Sequence, residues 1–294
     1  APSFGLPNSN GSFPQGWGGS SSIITWDASA EKIIINDTVN GYRKIYEFGN
    51  MSQSNLWKIA GLEQGVTYYW SVQTIDNTFA AGTGFDNDVL DTIKKSDGKI
   101  ICGGGFTSYN GTTQNYITRL NSNGPLDTSF SIGDGFDNYV RAIAIQPDGK
   151  ILVGGDFYQY DGTYVGSIIR LNSDGTLDYD FIELLEGSVK TIAIQPDGKI
   201  LVGGSFTAFG RNCIARLNSD GTNDTSFTTT GTSGTPINSI AVQPDGKIIA
   251  GGEFTLYNGL SQSRIVRLNT NGSVDTSFTV GSTFNGAVNT ILIS

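Results

Sequence analysis

Four times along this chain an Asn, an Asp or Asn, and an Asp alternate through a glycine-containing turn: Asn121, Asn123 and Asp127; Asn172, Asp174 and Asp178; Asn218, Asp220 and Asp224; Asn269, Asn271 and Asp275. Oxygen ligands spaced this way are the raw material of a Ca²⁺ loop, because that ion takes roughly six to eight oxygens in flexible geometry. The same string also makes an Asx or type I turn, whose aspartate caps free backbone N–H groups and pairs with the arginine eight residues before it. Two copies replace the central Asp with Asn123 and Asn271, and none has a bidentate Glu at the twelfth position. The turn is therefore the preferred reading, with Asn172, Asp174, Asp178, Asn218, Asp220 and Asp224 kept as candidate calcium ligands and no other cofactor expected.

Other chemistry is sparse. The chain has no histidine, which removes the usual general base and the commonest transition-metal ligand. Glu183, Glu186 and Glu253 are the carboxylates a glycoside chemistry would need, but Glu183 and Glu186 belong to an insertion, FIELLEGS, absent from the other copies, and no supporting pattern surrounds them. No catalysis is expected. Tyr109, Tyr160, Phe209 and Tyr257 recur at one position, three residues after a repeated Phe, and recurrence points to packing. The non-recurring Tyr116, Tyr139, Tyr158, Tyr164 and Tyr179 are the better candidates for a binding surface, because loops carry function while a scaffold repeats.

The elements that must position these residues are written in a phrase of about 49 residues that occurs four times. Its Asp-Gly pairs stand at Asp97-Gly98, Asp148-Gly149, Asp197-Gly198 and Asp245-Gly246, spaced by 51, 49 and 48 residues, each between two alternating apolar runs. That is a hairpin signal, since Asp and Gly accept the positive φ of tight turns. Gly-Gly pairs follow at 103–104, 154–155, 203–204 and 251–252, where a side chain would meet a neighbouring backbone or the strand bulges. A second block keeps Arg119, Arg170, Arg216 and Arg267 eight residues ahead of an Asp and eleven ahead of a Phe, and length varies only in the loops between blocks. Forty glycines, 15% charged residues and no helical-period apolar stretch make the chain all-β. Cys102 aligns with Val153, Val202 and Ala250, so it reads as a core residue and no disulfide to Cys213 is expected.

Residues 1–20 are a Gly/Ser/Pro-rich linker or edge segment, and residues 21–82 do not repeat. The stretch GLEQGVTYYWSVQTID resembles the closing part of a fibronectin type III domain, with Leu62, Gly65 and Tyr68 at the corner and Trp26 as the core tryptophan that the resemblance implies. Residues 83–294, with QPDGKI-VGG-F followed by RLN-DG-D-F, resemble the delta-60 repeat family, and that resemblance implies four-stranded β-propeller blades without a shared catalytic site. The expected architecture is a small fibronectin-like β-sandwich followed by blades, four repeats plus one strand of a fifth in AVNTILIS, so that the ring is expected to be incomplete.

A formal charge of −9 argues against a phosphate-backbone partner, so no nucleic acid is expected. No run of 18 apolar residues exists, and no membrane insertion is expected. The expected role is a non-catalytic extracellular scaffold, on a bacterial cell surface or virion, whose variable loops bind a protein or glycan. The alternatives are a structural fibre or tail component contacting neighbouring chains, and a domain of a secreted polysaccharide-degrading enzyme.

Overall fold

The computed structural model describes residues 79–293, apart from 184 and 280–283, together with five short strands before them. The chain divides into two compact units, Ala1–Asn77 and Thr78–Ser294. In the first unit, β1 (Ser3–Gly5) pairs with β4 (Leu56–Lys58), and β2 (Ile23–Asp27), β3 (Lys32–Asn36) and β5 (Tyr68–Ser71) form an antiparallel sheet in that order. The corner residues Leu62 and Gly65 lie outside the described residues, as does most of the expected sandwich.

In the second unit each repeat folds into an antiparallel sheet, and no helix occurs among the described residues. The first repeat contributes β6 (Val89–Lys94), β7 (Ile100–Gly104), a small hairpin of β8 (Ser108–Tyr109) and β9 (Thr112–Thr113), and β10 (Ile117–Leu120). The second has β11 (Val140–Ile145), β12 (Ile151–Gly155), the hairpin β13 (Gln159–Tyr160) and β14 (Thr163–Tyr164), β15 (Ile168–Leu171) and β16 (Leu177–Glu183). The third runs β17 (Gly187–Ile194), β18 (Ile200–Ala208) and β19 (Arg211–Leu217), with the small hairpin merged into the two long strands. The fourth repeats the first pattern: β20 (Ile237–Val242), β21 (Ile248–Gly252), β22 (Leu256–Tyr257), β23 (Leu260–Ser261) and β24 (Ile265–Leu268). The first strands β6, β11, β17 and β20 lie next to one another in succession.

Two expectations change. The sheets are not uniformly four-stranded: only the second repeat pairs a fourth strand, β16, whereas the others keep single bridges, Leu120 to Leu126, Leu217 to Asn223 and Leu268 to Val274. Ser129, Ser226 and Ser277 each donate both N–H and Oγ–H to the Asp two residues earlier, whereas in the second repeat Asp180 donates its N–H to Asp178 and the strand runs on to pair Ile182 with Ile169 and Glu183 with Ile168. The Asp-Gly turns also differ from the tight two-residue kind. Gly98 donates to the carbonyl of Lys95, Lys95 to that of Lys99, and only the glycine has positive φ, while Asp97 contributes by accepting from the Lys99 N–H at 3.0 Å. The two-residue turns with both residues at positive φ are Asn110-Gly111, Asp161-Gly162, Phe209-Gly210 and Asn258-Gly259, in the small outer hairpins.

The Gly-Gly pairs have two separate reasons. A Cβ on Gly103, Gly154, Gly203 or Gly251 would fall on the Val or Ile side chains that the next repeat inserts there: Val140, Val189, Ile237 and Val288 respectively. A Cβ on Gly104, Gly155, Gly204 or Gly252 would fall on a carbonyl at the start of the same repeat's first strand (Asp88, Tyr139, Ser188 and Pro236), beside its bulge. The core is therefore shared between neighbours: Ile117, Val140, Val153 and Val165 belong to one buried cluster that spans two repeats, and Leu152, Val189 and Val202 to the next.

Candidate functional site

The repeated aspartate is buried in all four repeats and the arginine in the first three, and their pairing follows from strand register. Arg119 lies on β10, and the turn after it brings Asp127 back within 2.6 Å of Nε. Lys99, two residues beyond Asp97 and just before β7, reaches the same carboxylate at 2.8 Å. The corresponding distances are 2.5 and 2.7 Å at Asp178, 2.6 and 2.8 Å at Asp224, and 2.8 and 2.8 Å at Asp275. Each guanidinium also lies 4.6 to 4.8 Å from the centre of its own repeat's Phe ring. Burial alone would raise Asp127 and Asp224; the hydrogen bonds from lysine, serine and arginine outweigh it and hold both well below the ordinary carboxylate range.

A third contact joins repeats. Arg119, Arg170 and Arg216 each donate Nη1 to a turn carbonyl of the next repeat, Ser173, Ser219 and Thr270. The candidate calcium ligands are thereby distributed among internal partners. Asp174 and Asp220 accept from the N–H and hydroxyl of Thr176 and Thr222, Asp178 and Asp224 face cations, and Asn172 and Asn218 donate to the same threonines. The fold does not bring the six into an oxygen cage, and no group of three or more His, Cys, Asp or Glu that could hold a metal occurs among the described residues.

The tyrosines separate into two classes. Tyr109, Tyr160 and Tyr257 are fully buried, with hydroxyls donating to Gly124 O, Gly175 O and, by contact at 2.8 Å, bonded to Thr229 Oγ1. Phe209 departs from this class: its repeat has a shorter loop, Phe209 sits in the turn at φ 55° and is exposed, and Arg211 lies buried instead, bonded to Asn223 Oδ1. Tyr116 and Tyr139 are half-buried and pack on one another at 6.0 Å, with Tyr139 also covering Gly105 of the preceding repeat. Tyr158, Tyr164 and Tyr179 are exposed by 37, 55 and 68%. The rings of Tyr158 and Tyr164 are almost parallel, 8° apart, with centroids at 6.4 Å on the outer hairpin of the second repeat. Thr107 and Thr113 in the first repeat, and Thr255 and Ser261 in the fourth, hold the same places. Asp137 fixes this hairpin by accepting from the N–H groups of Tyr158 and Gln159.

Glu186 and Glu253 are exposed and belong to different repeats, so no catalytic carboxylate pair is assembled from them. Cys102 and Cys213 are free and buried, and burial pushes the Cys102 thiol up to about 12. Sequence reasoning missed a polar row along the first strands. Arg141 makes a two-pronged pair with Asp156 at 2.7 and 2.6 Å, Ser188 donates to Asp156, Lys190 reaches Asn238 at 3.1 Å and Asn238 reaches Asn289 at 3.3 Å. Arg141, Lys190, Asn238 and Asn289 each follow the Val or Ile (Val140, Val189, Ile237 and Val288) that packs over a glycine of the preceding repeat. Their shared place could have been found by aligning the repeats and noting the polar residues that recur near the start of each otherwise apolar first strand. A groove of about 520 Å³ also opens between the turns at Asp197 and Asp245, with Arg216 and Asn271 in its wall.

The sequence of the repeats matches a family described as a domain of unknown function (DUF5122) beta-propeller, at residues 95–130, 146–181, 195–227 and 243–278. The four matched stretches are similar to β-propeller repeats. Each repeat's sheet corresponds to one blade, and the first strands of successive blades lie side by side. Similar solved structures include PorZ, a surface component of the type-IX secretion system of Porphyromonas gingivalis, with 19% identity over 69% of this chain and a TM-score of 0.36. A streptogramin B lyase is 18% identical over 93% of this chain and 67% of its own, TM-score 0.36. The Neurospora crassa Pan2 WD40 domain is 11% identical over 86% of this chain and 64% of its own, TM-score 0.38. The chain spans 27% of the length of the PorZ structure. No curated protein matches the sequence.

Proposed function

We propose that this chain is a non-catalytic extracellular binding scaffold of the delta-60 repeat type, preceded by a fibronectin type III-like segment, and that the second blade carries its recognition surface. The observation that supports this reading is the contrast between repeated and unrepeated residues. Repeated polar side chains are taken up by internal bonds: arginine by aspartate, lysine by the same aspartate, the buried tyrosine hydroxyl by a neighbour. Three of the unrepeated tyrosines, Tyr158, Tyr164 and Tyr179, face solvent, and the first two present nearly parallel rings on a hairpin whose backbone is held by Asp137. Parallel exposed rings bind the apolar faces of sugars or flat protein side chains, and a rigid hairpin keeps the ordering cost of binding low.

The test is binding of surface glycans and extracellular proteins by the parent chain and by Tyr158→Ala/Tyr164→Ala. The double variant is expected to lose about tenfold or more in affinity for the ligand, with its melting temperature within a few degrees of the parent because both rings are exposed. Equal affinity in the two proteins would place recognition elsewhere, and hydrolysis of a bound glycan would remove the non-catalytic reading.

A further inference from the structure

The four blades provide internal controls for one another, and the fourth differs from the rest along a single face. In the first three blades the guanidinium Nη1 donates to a turn carbonyl of the following blade. Arg267 has its Asp275 and Ser277 bonds but makes no such contact among the described residues, and its side chain is 22% exposed against 5, 8 and 6% for Arg119, Arg170 and Arg216. Beside it, Gln243 Oε1 is buried without a partner among the described residues, whereas Gln146 Oε1 and Gln195 Oε1 each accept from the arginine of their own blade. The ring of Phe278 is half-buried, while Phe130, Phe181 and Phe227 are buried under the turn glycines Gly175, Gly221 and Gly272 of the following blade.

One part of a following blade is already in place. Residues 288–293 lie along the fourth blade as β11 and β20 lie along the blades before them. Val288 fills the space over Gly251 and donates its N–H to Gly252 O, and the Ile291 N–H donates to Ser239 Oγ at 3.0 Å. The Ile143 and Ile240 N–H groups make the same kind of bond, to Asp91 Oδ2 and Thr191 Oγ1. Yet the segment pairs with no second strand among the described residues, and Leu292 is 89% exposed where the equivalent Ala144 is buried.

From these observations we infer that the free face of the fourth blade, with residues 288–293 as its first strand, is a docking site for the second to fourth strands of one more copy of this repeat. The incoming second strand pairs with residues 288–293 and covers Leu292. Its Asn-x-x-Gly turn places a glycine on Phe278 and a carbonyl in reach of Arg267 Nη1, which brings that guanidinium onto Gln243 Oε1. The occupant is fixed by continuity: three interfaces within the chain already have this composition, and the fourth has one of its two sides.

The experiment extends the chain behind Ser294 with a copy of residues 147–181, in the register of the second repeat, beside a control extended with the same residues shuffled. The matched extension is expected to slow amide exchange across 288–293 by about tenfold or more and to raise the melting temperature. Arg267→Ala is expected to lower the melting temperature much more in the extended chain than in the parent. Exchange and melting equal to the shuffled control overturn the inference. If the extended chain does not fold, the same segment is added to the parent as a separate peptide, and no protection of 288–293 at saturating peptide overturns it equally. A parent chain that sediments as a dimer, and a dimer that Arg267→Ala dissociates, would assign the face to a second copy and also overturn it.

Discussion

Arg170 has three kinds of partner at once: the Asp178 carboxylate, the Ser219 carbonyl of the next blade and the Phe181 ring. After Arg170→Ala the Asp178 carboxylate keeps Lys150 at 2.7 Å but loses the guanidinium, whose onward and ring contacts go with it, so the change is expected to cost about 2–3 kcal/mol in denaturant unfolding. Arg267→Ala removes the same type of pair from a more exposed place with no contact onward, and is expected to cost at most about 1 kcal/mol. Equal losses for the two would mean that the onward carbonyl contributes nothing. The eight-residue spacing makes the arginine–aspartate pair legible in the sequence alone. The lysine is not, because Lys99 meets Asp127 only after two strands have paired, and nothing local marks that contact. The candidate calcium residues are ambiguous in sequence for a related reason: an Asx turn and a cation loop use the same residue types, and only the position of hydroxyl and cationic neighbours separates them. Since those neighbours occupy the oxygens, a calorimetric scan with and without chelator is expected to give the same melting temperature.

At the level of elements, the repeated strands and turns can be read directly, whereas the small outer hairpins cannot. Asn110-Gly111, Asp161-Gly162 and Asn258-Gly259 are two-residue turns hidden in stretches that look like variable loop. Phe209-Gly210 is the fourth of them, and there a bulky residue holds φ 55° with its ring exposed. An L-residue in that region is disfavoured unless it is Asn or Asp, so Phe209→Asn is expected to stabilise the chain by on the order of 1 kcal/mol. An unchanged or lower midpoint in urea would show that the ring contributes packing where it lies. The recurrence rule that assigns all four aromatics to the core fails at this one because its loop is shorter, and a deletion changes which residue faces inward. Fourth strands are the other element that the repeat pattern misjudges, since the only one that pairs extends into the insertion of the second repeat, through Ile182 and Glu183.

For the molecule as a whole, the four lowered aspartates make acid the condition to watch. Each has a folded value below its ordinary 3.8, so each binds its proton more readily once the chain unfolds. Their contribution is present in full above about pH 5 and is lost as pH falls through 3.8 toward the lower folded values. Stability measured by urea midpoint is therefore expected to be level from neutral pH to about 5 and to drop steeply below about 4, and a midpoint that stays level to pH 3 would contradict the pairing described. The Arg contacts, the glycine slots and the side-chain bonds between first strands all run the same way, from a given blade to the one after it, with different chemical groups on the giving and receiving sides. An array joined like this has a head and a tail. Two heads or two tails offer each other no matching groups, so these end faces do not support a twofold-symmetric dimer, and any growth through them must be head-to-tail and in one direction.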